Sequence, residues 1–320
     1  MPALIEADAL KKSFGNIKAV NGISLTVMPG EVLGFLGPNG AGKSTTMKMI
    51  TGFLEPDSGT ARITGYDVQE QPLAAKAHLS YLPEGAPAYA EMTPAKFLRF
   101  IAAIRGFRGA EAQRRVDAAV DKTGLHSVLH QNIETLSKGY KRRVGIAQAI
   151  LHDPQVLIMD EPTDGLDPNQ KHQVRELIRD MARDKAIIVS THILEEVEAV
   201  CTRAVVIDKG RIVADGTAED LRQRAPNHGA VAIRVATDQA EIVMQALQRF
   251  PSIATVETLG KANGHLHLRA LPKNGMSIAA EVTQAIRESA IVVEEIYVER
   301  GKLDDVFRQI TTSDQGGGHA

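Results

Sequence analysis

The octapeptide of residues 37–44 reads Gly37-Pro38-Asn39-Gly40-Ala41-Gly42-Lys43-Ser44 and fits the pattern G-x-x-x-x-G-K-[S/T]. It follows the apolar run Val-Leu-Gly-Phe-Leu of residues 32–36, and a predicted helix begins at Ser44. A glycine-rich loop between a strand and a helix is the context that identifies a P-loop. Its glycines let several backbone N–H groups point inward at phosphate groups, and the helix N-terminus adds its dipole. The alternative is a glycine-rich turn that fits by chance, and the surrounding strand and helix argue against it.

Two further groups of residues extend this interpretation to a nucleoside triphosphate and a metal ion. Lys43 is expected to reach the β- and γ-phosphates, and Ser44 to place its hydroxyl on Mg²⁺. Asp160 and Glu161 end the apolar run of residues 156–159. A carboxylate at the end of a strand beside a P-loop suits Mg²⁺, while the adjacent glutamate can polarise a water for in-line attack on the γ-phosphate. The alternative for this acidic pair is a helix cap.

The order of predicted elements divides the chain into an α/β domain of residues 1–224 and a smaller C-terminal domain. In the first, helical stretches alternate with apolar runs that lack alternation, which is typical of strands buried on both faces of a parallel sheet. Residues from about 85 to 151 look helical instead and form a predicted helical subdomain. Residues 225–312 follow the order β-α-β-β-α-β, the ferredoxin-like arrangement of an α+β domain. We expect the tail, residues 313–320, to be disordered.

Four more motifs follow in the chain and narrow the class of P-loop protein. They are Glu84 after Tyr-Leu-Pro, the segment Leu136-Ser137-Lys138-Gly139-Tyr140, the segment Asp164-Gly165-Leu166-Asp167, and His192 after an apolar strand. In these motifs and their order, over about residues 4–221, the chain resembles the nucleotide-binding subunits of ABC transporters. The resemblance implies a P-loop NTPase cassette with a RecA-like core. It identifies the four motifs, in order, as the Q-loop position, the signature loop, the D-loop and the switch histidine.

The resemblance also implies roles for individual residues in a site for ATP and Mg²⁺ that two chains share. The implied catalytic residues are Lys43, Glu161 and His192. Phe14 takes the place of the aromatic residue that stacks on adenine. The phosphates are implied to lie on Gly37, Pro38, Asn39, Gly40, Ala41, Gly42, Lys43, Ser44 and Thr45. The metal is implied to lie on Ser44 and Asp160, with Glu84 as a further candidate. The implied residues that act on the ATP of the other chain are Ser137, Lys138, Gly139 and Tyr140, beside the D-loop residue Asp167.

Three departures from the usual family pattern indicate a branch. Glu84 stands where the family has glutamine, Lys138 and Tyr140 replace glycine and glutamine of the signature, and Phe14 replaces a tyrosine. The Leu-Pro-Glu and Leu-Ser-Lys-Gly-Tyr segments resemble those of subunits that serve ABC-2-type exporters, including ones likened to gliding-motility, drug and copper exporters. This implies a second copy of the chain or a related cassette, and a separate multi-span membrane permease as partners. It also implies a peripheral location on the cytoplasmic face of the cytoplasmic membrane.

Composition limits the other functions open to the chain. With 37 basic and 39 acidic residues and a net charge of −2, it lacks the basic excess of most nucleic-acid binders, so no nucleic acid is expected as a partner. No apolar run approaches the ~20 residues that cross a bilayer. We interpret the adjacent Arg142 and Arg143 as facing a bound triphosphate. The remaining alternative is a soluble ABC ATPase that acts on a macromolecular machine other than a transporter.

Overall fold

The computed structural model describes residues 2–85, 88–273, 275–289 and 291–312. The chain divides into two compact units, one ending at Thr217 and one beginning at Ala218. The division lies at residue 217 rather than at the predicted 224 because the short helix Ala218–Arg222 packs against the last helix of the second unit. The tail of residues 313–320, for which we predict disorder, lies outside the described residues.

The strands of the first unit form two sheets. They are β1 (Ile5–Phe14), β2 (Ile17–Val27), β3 (Val32–Leu36), β4 (Ser58–Ile63), β5 (Tyr66–Asp67), β6 (Leu79–Leu82), β7 (Val156–Asp160), β8 (Ala186–Thr191), β9 (Arg203–Asp208) and β10 (Arg211–Gly216). One sheet has the order β10-β9-β3-β8-β7-β6 and is parallel except for the β9–β10 hairpin. The other has the order β2-β1-β4-β5 and is antiparallel.

The central strands β3, β7 and β8 are buried along their whole length, which explains why their sequences are apolar without alternation. In β2, by contrast, buried and exposed positions alternate over much of the strand, as in an antiparallel sheet with one solvated face. The sequence patterns alone did not distinguish this antiparallel sheet from the parallel core.

The helices of the first unit are α1 (Lys43–Ile50), α2 (Pro72–His78), α3 (Pro94–Ile104), α4 (Gly109–Thr123), α5 (Lys138–Ile150), α6 (Pro168–Met181) and α7 (Leu194–Val200). Helices α3, α4 and α5, with two short 3₁₀ turns, make up the predicted helical subdomain. Thr93 accepts a hydrogen bond from the backbone N–H of Lys96 and caps α3, and Pro94 occupies its first turn. Gly124, with φ of 62°, ends α4 in the left-handed conformation that favours glycine.

The second unit is ferredoxin-like, as the order of its elements predicts. Its elements are α8 (Ala218–Arg222), β11 (His228–Ala236), α9 (Ala240–Leu247), β12 (Ile253–Ala262), β13 (His265–Pro272), α10 (Ala279–Glu288), β14 (Val293–Arg300) and α11 (Leu303–Thr312). The sheet order is β12-β13-β11-β14, and every neighbouring pair is antiparallel. Ile233 and Leu268 of the sheet pack with Val243 and Val282 of the helices in a hydrophobic core that belongs to this unit alone.

Candidate nucleotide-binding site

The P-loop connects the carboxyl end of β3 to the first residue of α1. The side chain of Lys43, only 8% exposed, donates hydrogen bonds from Nζ to the carbonyl oxygens of Gly37, at 2.6 Å, and Pro38, at 3.1 Å. Gly42 has φ of 104°, and a Cβ atom there would clash with the carbonyl oxygen of Ala19. Glycine is therefore the residue that fits this position, and the hydrogen bonds of Lys43 fold its side chain back over the loop.

Three carboxylates share the electrostatic environment of Lys43. Burial lowers the pKa of Lys43 below its ordinary value, while Glu161, Asp160 and Glu84, in that order, act to raise it. These residues come from two different loops, the first two from the end of β7 and Glu84 from the exposed turn that follows β6. The structure therefore brings together, at the carboxyl ends of the parallel strands, the P-loop lysine and the three carboxylates predicted to act on the metal or the water.

The residues predicted to hold Mg²⁺ offer a suitable set of oxygens. Asp160 is the last residue of β7 and is 4% exposed, and its Oδ1 accepts a hydrogen bond from the hydroxyl of Ser190 on β8. Ser44 lies in the first turn of α1, one residue after Lys43. A carboxylate and a hydroxyl oxygen are hard ligands of the kind that Mg²⁺ prefers, and the cation keeps waters in its other positions. Ser190, which orients the carboxylate, was not singled out by the sequence.

Glu161 is held in an unusual backbone conformation beside His192. Its φ of 49° lies in the left-handed region, which is sparsely populated by residues other than glycine. Its N–H donates to the carbonyl oxygen of Ser190 at 3.2 Å. Its Oε1 lies 2.9 Å from Nδ1 of His192, and the glutamate side chain is 13% exposed. The turn after β7 thus aims this carboxylate at His192, and the described residues from Glu161 to Asp167 begin no helix for an acidic pair to cap.

The signature residues form a second cluster with the D-loop. Ser137 caps α5 by accepting a hydrogen bond from the N–H of Tyr140 at 3.3 Å. Lys138 Nζ lies 2.9 Å from Oδ2 of Asp164. Gly139 packs so closely on the side chain of Gln170 that a Cβ atom would clash with it. Ser137 and Lys138 are exposed, so this end of α5 presents a hydroxyl, an ammonium group and a helix N-terminus to the surroundings.

The other predicted residues lie on the same unit. Asp167 caps α6, accepting from the N–H of Gln170 at 2.9 Å, and Tyr140 places its hydroxyl 3.2 Å from Oγ of Ser127. Phe14, at the end of β1, is 51% exposed, with Nζ of Lys12 5.9 Å from its ring centroid. An exposed aromatic face at the end of a strand is open to stacking with a base.

Arg142 corrects one interpretation made from the sequence. Its side chain is 5% exposed and turned inward, so it does not face the surroundings as a triphosphate ligand would. Its guanidinium donates to the carbonyl oxygens of Pro83, Asp160, Glu161 and Pro162. The spacing of residues 139, 142, 146 and 149 places Arg142 on one face of a helix with two apolar residues and a glycine, which indicates an inward side chain. All four are buried in α5.

Comparisons with known proteins identify the family of the chain. The family described as ABC transporter matches residues 20–164. The daunorubicin/doxorubicin resistance ATP-binding protein DrrA of Streptomyces peucetius is 32% identical over 96% of this chain and 92% of its own length. The Nod factor export ATP-binding protein I of Paraburkholderia xenovorans is 40% identical over 68% of this chain and 72% of its own. A solved structure described as the ATP-binding subunit of an ABC transporter superposes with a TM-score of 0.64 at 35% identity, over 69% of this chain and 92% of that one.

Proposed function

The chain belongs to the ATP-binding proteins of ABC transporters, and from this premise we propose that two copies close head to tail around ATP and drive export through a separate membrane permease. It is an ATPase that uses ATP with Mg²⁺. The observation that carries the proposal is the contact between Glu161 and His192, 2.9 Å apart, beside the buried Lys43. The proposed site thus combines a cation that binds phosphate, a carboxylate that orients the attacking water, and a histidine.

In this proposal each residue acts on ATP or on the attacking water. The P-loop N–H groups and Lys43 bind the β- and γ-phosphates, and Phe14 stacks on the adenine. Glu161 accepts a hydrogen bond from the water and orients it in line with the γ-phosphate, while His192 contacts that phosphate and registers its loss. Mg²⁺, when bound by Ser44 and Asp160, neutralises charge on the phosphate oxygens. The products are ADP and inorganic phosphate.

A second copy of the chain completes the site. The exposed end of α5 carries Ser137, Lys138 and the N-terminus of a helix, which together attract an anion. The chain has one P-loop and one signature, so two chains arranged head to tail place each signature over the ATP of the other. ATP then joins the two chains because its γ-phosphate satisfies donors on both. Hydrolysis removes that link and lets them separate.

The permease is the partner that we assign to a groove on the first unit. The groove has a volume of about 640 Å³ and lies among α2, α3 and the end of α1. Phe53, Leu73 and Ile104 line it with 72%, 84% and 64% of their surfaces exposed. Of the described residues that line it, Lys76 and Arg105 are basic and none is acidic. An apolar helix with a carboxylate, from a cytoplasmic loop of the permease, fits this surface.

Other features support a transporter rather than another machine. Relatives of this chain are named for export of Nod factor and for resistance to daunorubicin and doxorubicin. In the described part of the chain, no helix is both long and apolar enough to cross a bilayer. We propose, from these relatives, that a permease holds the chain at the cytoplasmic face of the cytoplasmic membrane.

The experiment is a pull-down of the tagged chain carrying Glu161→Gln from detergent-solubilised membranes in Mg-ATP. We expect this variant to lose ATP turnover, to remain as an ATP-bound dimer, and to bring down a multi-span membrane protein in stoichiometric amount. The matched control adds Leu73→Asp, which places a charge in the groove and leaves every residue assigned to ATP unchanged. It should keep the dimer and lose the membrane protein.

Two outcomes would contradict the proposal at different points. Unchanged turnover in Glu161→Gln would remove the assigned role of that carboxylate. Recovery of soluble partners alone, with the chain absent from the membrane fraction, would favour an ABC ATPase that serves a machine other than a transporter.

A further inference from the structure

We propose that Arg142 is a positioning residue that fixes the carboxylate of Glu161 and ties it to the signature helix and to the loop that carries Glu84. The proposal rests on the role of Glu161 stated above. The side-chain hydrogen bonds found for Arg142 in the described structure all go to backbone carbonyl groups outside the P-loop and the signature segment.

The contacts of Arg142 join two loops to one helix. Nε donates to the carbonyl oxygen of Pro162 at 3.1 Å, and Nη1 to that of Pro83 at 3.3 Å. Nη2 donates to the carbonyl oxygens of Asp160, at 2.5 Å, and of Glu161. The acceptors therefore belong to the residue before Glu84 and to three consecutive residues around Glu161, while Arg142 itself lies in α5 one turn after Gly139.

These hydrogen bonds help to hold Glu161 in its left-handed conformation. A non-glycine residue in this region carries a strain of about 1–3 kcal/mol and persists where its surroundings fix it. On one side the N–H of Glu161 is held by Ser190, and on the other its carbonyl oxygen accepts from Arg142 and from the N–H of Asp164 at 3.1 Å. Without Arg142 the carbonyl oxygen of Glu161 keeps only the hydrogen bond from Asp164 among those described. We therefore expect the carboxylate of Glu161 to turn away from His192 more easily.

The charge of Arg142 is placed among carboxylates without being paired to one. Burial lowers its pKa, and Asp164, Asp160, Glu161 and Glu84, in that order, act to raise it. Across the residues that the structure describes, the ion pairs found do not include Arg142, and its donors all go to carbonyl groups. Because the guanidinium of Arg142 donates to backbone carbonyl oxygens, the carboxylates of Asp160, Glu161 and Glu84 can still bind water, metal or histidine.

A lysine at position 142 cannot make this set of hydrogen bonds. The guanidinium is a planar fork with five donors, whereas an ammonium group is a compact charge that reaches fewer acceptors in fewer directions. Arg142→Lys therefore keeps the positive charge and loses some of the hydrogen bonds to the two loops. This separates the effect of geometry from that of charge.

The test measures steady-state kinetics of the full chain carrying Arg142→Lys and Arg142→Met. We expect kcat to fall by about tenfold to a hundredfold, because small misplacements of a catalytic group have effects of this size. The KM for ATP should change by less than about threefold, since the P-loop is untouched. For Arg142→Ala, guanidinium ion at millimolar concentration should restore part of the lost kcat.

The matched controls are Arg203→Lys and Arg203→Met. Arg203 is a half-buried arginine bonded to Asp215 and Glu31, and it begins β9 at the amino ends of the parallel strands, opposite the site. These variants should lose stability in thermal unfolding and keep kcat.

The proposal fails if Arg142→Lys or Arg142→Met keeps kcat within about twofold of wild type, or if the Arg203 variants lose kcat to the same extent. If Arg142→Met does not fold, the lysine variant and the guanidinium measurement decide the question. Glu161→Gln in the same assay separates the two proposals. An inactive Glu161→Gln beside fully active Arg142 variants would refute the role of Arg142 alone, whereas a fully active Glu161→Gln would refute the role of Glu161 on which it rests.

Discussion

At the scale of single residues, His152 shows how burial controls an ionisable group. Its Nε2 lies 3.3 Å from the carbonyl oxygen of Leu79, and its Nδ1 is buried without a partner among the described atoms. Burial, followed by the nearby cation Arg105, lowers the pKa of His152 from 6.5 to about 4. Arg115 acts in the same direction, while the Leu79 carbonyl and Asp153 oppose it. The folded protein therefore holds this ring neutral.

We predict that this histidine makes the protein less stable in mild acid. Because its folded pKa of about 4 lies below its unfolded value of 6.5, the unfolded chain binds the proton first. The loss of stability begins as the pH falls through 6.5 and ends below about 4. His152→Gln keeps a donor for Leu79 and removes the titration. Between about pH 7.5 and pH 5, wild type should lose on the order of 1–2 kcal/mol more than the variant, allowing for partial exposure.

Urea unfolding of the two proteins at both pH values measures this difference directly. Carboxylates that titrate in the same range affect both proteins alike and cancel in the comparison. Parallel losses of stability in wild type and variant would show that His152 is not held neutral.

At the scale of elements, the ends of helices and strands carry the chemistry. Strand β7 ends at Asp160, helix α1 begins at Lys43 and helix α5 begins at Lys138. Lys138 pairs with Asp164, but both side chains are exposed, and such pairs contribute only about 0–1 kcal/mol. Stability therefore gives little reason for a lysine at this position, whereas the proposed contact with the phosphates of ATP bound by a second chain gives one.

We predict that Lys138→Gln weakens the use of ATP without lowering stability. The KM for ATP should rise about threefold to tenfold and depend less on salt, because one charged contact with phosphate is lost. Thermal unfolding of the variant without nucleotide should stay within about 2 °C of wild type. The matched variant Asp164→Asn breaks the same ion pair but keeps the ammonium group. Equal effects of the two variants would mean that the pair within one chain is what matters.

The sequence predicted the elements that local patterns define and missed those that depend on pairing. The P-loop and the buried parallel strands follow from apolar runs and glycine positions. The antiparallel pairing of β1 with β4 joins strands separated by β2, β3 and helix α1, and residue patterns do not record such distant partners. The inward turn of Arg142 was missed for a similar reason, since its four acceptors lie far away in the sequence.

At the scale of the whole molecule, the two units have separate hydrophobic cores. One contains Leu268 and Ile233 of the ferredoxin-like sheet, and the cores of the first unit contain Ile158 and Ile188. All residues assigned to ATP lie in the first unit, between Phe14 and His192. Binding of a ligand stabilises the unit that holds it, so ATP should protect the first unit alone.

Leu268→Ala tests this separation. Leu268 is fully buried, and truncation of a buried leucine costs about 2–5 kcal/mol. We expect two transitions in urea, with the variant lowering only the midpoint of the ferredoxin-like unit and Mg-ATP raising only the other. Ile188→Ala is the matched variant in the first unit and should have the opposite pattern. A single transition, shifted by both substitutions and by ATP, would instead mean that the two cores unfold as one cooperative body. In that case, ligands that stabilise the C-terminal unit would also change the affinity for ATP.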